Sequence, residues 1–157
     1  MSGQPNVPGW FTFDVKSMDV LEPSVPGVFL PSTIIPRTGP FQLIANFEIG
    51  ELFGKGANDL VASGNPVFEY DVRYFAQMIG GSSSYRLPTA GPLAIRCIPN
   101  TYSYGSAQTN ILVPPNTLDL GTYELTCTVK MCPVGGGGQG FPWHVTGFVG
   151  GLMIEVY

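Results

Sequence analysis

Glu69 and Asp71 are the nearest approach to a catalytic pair in this chain. Two apart on a strand, both carboxylates project from one face about 7 Å apart, which mimics the spacing of a glycosidase pair. Arg73 shares that face and offsets them, so the three read as a solvated strand surface. His144 is the single histidine, which excludes two-histidine metal motifs and leaves little for a nucleophile–base pair. Beside Trp143 it reads as a loop or strand-edge residue, able to bias an interface as its charge changes near pH ~6.5. Cys97, Cys127 and Cys132 fall on different expected elements, with Cys127 a small apolar side chain on an inward face. Their spacing suits no zinc knuckle, and a fourth ligand is missing. Asp14, Asp19 and Glu22, or Glu48, Glu51 and Asp59, supply oxygens of the kind calcium takes, without a calcium-loop pattern. Gly54-Lys55-Gly56 lacks both the spacing and the following helix of a phosphate loop. No nucleophile, base and orienter assemble from these residues, so the expectation is a non-enzyme with no cofactor and no metal.

Aromatic residues offer a different chemistry. Tyr102, Tyr104, Phe141 and Trp143 lie in or beside expected loops, with Trp10 at the start of the first strand and His144 adjoining Trp143. Aromatics gathered at one end of a fold make a sugar platform or a protein hot spot. These six are the candidate ligand or interface residues.

Composition decides what could carry them. In 157 residues only 11% are charged, against roughly 25% in an ordinary domain, and the net charge is −4. Glycine (21) and proline (15) are abundant while 44% of residues are hydrophobic, a balance that favours short apolar strands joined by many turns over disorder. A surface this poor in charge is expected to be covered by other subunits. The seven Lys and Arg are scattered singly, so no basic patch for nucleic acid forms. No apolar run approaches the roughly 20 residues of a membrane span. The first residues lack the basic and apolar regions of a secretory signal, and an odd cysteine count suggests no disulfide framework. The expected setting is cytoplasmic, with a virion or assembled particle equally compatible.

Residues 1–9 read as a flexible arm and residues 10–157 as one domain. A first strand is expected at Trp10–Val15. Five prolines between 16 and 40 limit any strand there to a short edge, with Val28, Phe29 and Leu30 an apolar triplet between them. Phe41, Leu43, Ala45, Phe47 and Ile49 alternate with polar residues along a strand, and Phe68, Tyr70, Val72 and Tyr74 form the inner face of another. Short strands are expected at 93–98 and 110–113, a long one to about Met131, and a last from Val145 to Tyr157. Gly135–Gly138 reads as a loop tip, and no amphipathic helix is visible.

The most specific motif is Asp119-Leu120-Gly121-Thr122-Tyr123, a corner feeding a strand on which Tyr123, Leu125, Cys127, Val129 and Met131 alternate with polar residues. It resembles the tyrosine corner of immunoglobulin-like and fibronectin-III-like sandwiches. That resemblance rests on residues 110–157 and implies an all-β fold: a single antiparallel β-sandwich of about seven strands with long Pro/Gly-rich loops. Leu125 stands where antibody domains place a cysteine, so Phe41, Phe47 and Leu125 are expected to fill the space of the inter-sheet disulfide. Such folds serve many functions. The charge-poor surface points to a structural or interaction module that self-associates with copies of itself or a protein partner, as a capsid, filament or coat-type subunit does. The alternative is a monomeric module binding a glycan through its loop aromatics.

Overall fold

A computed structural model describes residues 11–51, 68–87, 95–98, 101–133 and 145–157. Strict alternation produces the longest strands. On β4 (Phe41–Glu51), Phe41, Leu43, Ala45, Phe47 and Ile49 are buried; Ile44, on the opposite face, is buried too. On β5 (Phe68–Met78) the buried set is Tyr70, Val72, Tyr74 and Ala76, and on β10 (Gly121–Pro133) it is Tyr123, Leu125, Cys127, Val129 and Met131. A period of two places each set on one face, and removing that face from water is the main driving force for the fold.

The strands form two sheets. One runs β2 (Val28–Pro31), β1 (Phe11–Val25), β4, β8 (Ser103–Tyr104), with β9 (Ile111–Val113) also against β4. The other runs β3 (Ile34–Ile35), β11 (Val145–Val156), β10, β5, β6 (Ser84–Arg86), with β7 (Ile95–Arg96) also against β5. Buried residues of both sheets make one continuous core. Among the described residues the one helical element is a single 3₁₀ turn, Ser106–Gln108.

Two features differ from the sequence expectation. The first strand does not stop at Val15 but runs on to Val25, through Pro23. Pro23 is tolerated because it sits opposite Phe29 at a position that donates nothing to the hairpin, and Val25-Pro26-Gly27-Val28 then turns the chain with Gly27 at φ +81. The second difference is a parallel pairing, Ile34 with Glu155 and Ile35 with Val156. Beyond Pro31 the chain leaves the first sheet and joins the second, arriving beside β11 in the same direction. The pairing is therefore not wholly antiparallel.

The corner at Asp119 closes as its residue pattern suggests. The Tyr123 hydroxyl donates to the Asp119 carbonyl at 2.9 Å, while the Asp119 carboxylate accepts from Arg37 at 3.2 Å and from the Tyr85 hydroxyl at 3.1 Å. Tyr123→Phe removes one neutral hydrogen bond without a cavity and is expected to lower stability by about 1 kcal/mol, read as a lower urea midpoint at unchanged m-value.

The two sheets approach closely at Gly147. A β-carbon there would lie 2.8 Å from both the Phe13 ring and the Val15 methyl across the core. Gly147→Ala is expected to cost about 1–3 kcal/mol by overpacking. Thermal unfolding checks this as a lowered midpoint relative to the wild type.

Candidate functional site

Of the six candidate residues, the structure places Tyr102 and Tyr104; Trp10, Phe141, Trp143 and His144 lie outside the described residues, as do the Gly135–Gly138 run and the 1–9 arm. Tyr102 is 40% exposed, and its carbonyl accepts from the Ile49 amide at 2.8 Å, which ties this segment to β4. Tyr104 is not a loop aromatic. It sits on β8 opposite Phe47 and is 2% exposed, because its ring stacks on Phe47 at 4.8 Å and meets the edge of Tyr70 at 5.2 Å. Its hydroxyl accepts from the Ile98 amide at 2.9 Å. Tyr102 and Tyr104 are thus separated, one at the surface and one in the core, and form no shared platform. Burial of every second residue on a short strand explains the split.

Charged groups are largely engaged with one another. Lys16 bridges Asp14 at 2.7 Å and Glu48 at 3.5 Å, and the Asp14 carboxylate raises the Lys16 pKa, with Glu48 adding to it. Two of the oxygens offered for calcium are therefore turned toward an ammonium. No group of three or more His, Cys, Asp or Glu among the described residues could hold a metal ion. Arg73 reaches Asp71 at 3.5 Å, and Glu69 lies opposite Arg96 in the β5–β7 register.

The cysteines are all buried thiols. Burial pushes Cys97 up to about 12 and raises Cys127 as well. It also pushes Tyr70 up to about 12 and raises Tyr74 and Tyr104. These groups stay protonated in the fold, whereas in the unfolded chain cysteines titrate near 9.0 and tyrosines near 10.0. Their stabilising contribution is complete below pH 9 and is lost as pH rises through the folded values. The thermal midpoint is therefore expected to hold from neutral pH to about 9 and fall steeply by about pH 11. The native thiols are expected to resist alkylation at neutral pH until denaturant is added.

Two surface hollows border β1 near Lys16. One of about 370 Å³ beside β4 and β8 is lined by Lys16, Asn46, Glu48, Ser103 and Ser106. The Asn46 amide donates to Ser17 at 2.9 Å and to Asp19 at 3.0 Å, so its donors are already used within the protein. The other, about 260 Å³, opens where Lys16–Met18 of β1 face Val149–Leu152 of β11. Neither brings an unengaged charge together with a buried polar group.

Sequence reading missed the β1–β2 hairpin, which presents exposed Val25, Val28 and Leu30. Its signal was available in Val25-Pro26-Gly27-Val28, since Pro followed by Gly is the residue pattern of a type II turn. No protein family matches the chain. No curated protein matches it either.

Proposed function

We propose that this protein is a non-enzymatic structural module that self-associates into a larger assembly, built on an immunoglobulin-like β-sandwich. The observation that carries the reading is the combination of few charges with apolar exposure. Charged residues are 11% of the chain, and Val25, Leu30, Ile34, Leu112 and Leu120 are each more than half exposed. Exposed side chains of this kind gain free energy, roughly 25 cal/mol per Å², when another protein surface covers them.

The immunoglobulin-like part is supported by the sheet order, by the Tyr123–Asp119 bond and by β3 running parallel to the last strand. The non-enzymatic part is supported by thiols held protonated in the core and by carboxylates facing Lys16, Arg73 and Arg96.

Light scattering coupled to size-exclusion chromatography tests self-association. A species that is a multiple of 16.8 kDa supports it, and a 16.8 kDa species at every loading concentration overturns it.

A further inference from the structure

Among the described residues, the sheet edges left unpaired are not equally guarded. Along residues 11–20, β1 carries Lys16 as an extra residue between Val15, which pairs with Phe47, and Ser17, which pairs with Asn46. On β11 an extra residue, Gly151 at φ +84, interrupts pairing between Gly150 and Leu152. Both β6 and β7 end on an arginine, Arg86 and Arg96, while β8 has two residues and β9 three before Pro114-Pro115. Bulges, charges and short lengths all discourage another strand from pairing. β2 is short too, four residues ending on Pro31, but it carries neither bulge nor charge: the irregularity in its hairpin falls on the β1 side, between Pro23 and Val25, and residues 23–36 contain no ionisable side chain.

The main chain of β2 also points the right way. The Ser32 amide donates to the Val20 carbonyl at 3.0 Å. Hydrogen-bonded and non-bonded pairs alternate along an antiparallel ladder, so Leu30 opposite Glu22 is bonded and Phe29 opposite Pro23 is not. Pro23 has no N–H, in keeping with that alternation. The Phe29 N–H and C=O therefore face away from β1, toward the side of β2 on which no described strand pairs.

We propose that β2 is the contact edge for a second copy of this chain, paired antiparallel across a two-fold axis centred on Phe29. The inference rests on the self-association proposed above and names its contact. In this register Phe29 exchanges two main-chain hydrogen bonds with Phe29 of the other copy. Val28 and Leu30, 44% and 53% exposed, then lie opposite Leu30 and Val28 of the other copy, two apolar cross-strand pairs on one face. The contact is self-complementary, as a two-fold interface requires. Pro31, which has no N–H, then lies opposite Gly27 of the other copy, so the ladder is short and centred on the two bonds at Phe29. With a net charge of −4 on each copy, a charge-free segment is also where two copies meet with least repulsion.

The test uses the full chain with Phe29→Cys under mild oxidation. Residues in a bonded antiparallel pair have Cα atoms about 5.5 Å apart, within disulfide reach, and the native cysteines are buried and do not compete. A disulfide-linked product of two chains is expected, with none from Leu112→Cys on the exposed β9 edge. Leu30→Lys, which restores an edge charge, is expected to raise the concentration needed for association at least about tenfold at an unchanged thermal midpoint. Chains that associate as the wild type does, yet neither cross-link through Phe29→Cys nor weaken with Leu30→Lys, overturn this contact and leave self-association standing. A wild-type chain that remains 16.8 kDa at every concentration overturns both.

Discussion

Phe47→Ala is expected to lower the unfolding free energy by about 3–5 kcal/mol, the range for truncating a fully buried aromatic ring. Phe47 is 1% exposed and stands at the centre of an aromatic group: Phe13 at 5.5 Å, Tyr70 at 5.4 Å and Tyr104 at 4.8 Å with the rings within 4° of parallel. Phe13 and Tyr104 belong to its own sheet, while Tyr70 belongs to the other, so the ring holds the two layers together. Its removal leaves a cavity that these neighbours, fixed on separate strands, cannot collapse to fill. Against a typical total of about 5–15 kcal/mol, the loss is a large fraction of stability. Urea unfolding followed by tyrosine and tryptophan fluorescence measures it. Phe47→Leu keeps much of the apolar volume and is expected to cost clearly less. Equal losses for the two variants would show that apolar bulk alone recovers nothing and that the loss lies in the ring contacts.

Thr109→Val is expected to cost about 2–5 kcal/mol although it changes neither volume nor shape. Thr109 is completely buried, and it is the sole buried polar residue among those described. Its hydroxyl donates to the Ala45 carbonyl at 2.6 Å and accepts from the Ala45 amide at 3.2 Å. The need arises from the sheet itself. β4 is paired on this side by β9 at residues 41–43 and by β8 at residues 47–48, and Ala45 falls in the gap between them. A side chain takes the place of the missing strand. Valine would leave a buried donor and a buried acceptor unpaired, each worth about 1–3 kcal/mol. The Tyr74 hydroxyl, bonded to the Thr109 carbonyl at 2.6 Å, holds the turn in position. Thr109→Ser keeps the hydroxyl and is expected to retain most of the stability, so denaturation of the two variants side by side separates the hydrogen bonds from packing.

The long strands were legible because their information is local. Alternation along Phe41–Ile49, Tyr70–Tyr74 and Tyr123–Met131 names the buried face without reference to any other part of the chain. The corner at Asp119–Tyr123 was legible for the same reason, since the bond joins residues four apart. The candidate site was less accessible. Tyr102 and Tyr104 look equivalent as neighbours, and only the partner strand β4 decides that one stacks in the core and the other faces water.

What the sequence by itself determined is therefore an all-β chain with defined inner faces, a closed tyrosine corner and an unusually neutral composition. Tertiary structure alone decided that β1 continues through Pro23 into the hairpin with β2, that β3 joins the last strand in parallel, and that Thr109 completes β4. The physical reason is distance along the chain. Side-chain period and turn chemistry act over a few residues, whereas the pairing of Ile35 with Val156 and the contact of Thr109 with Ala45 depend on where the whole chain has already placed its main-chain donors and acceptors.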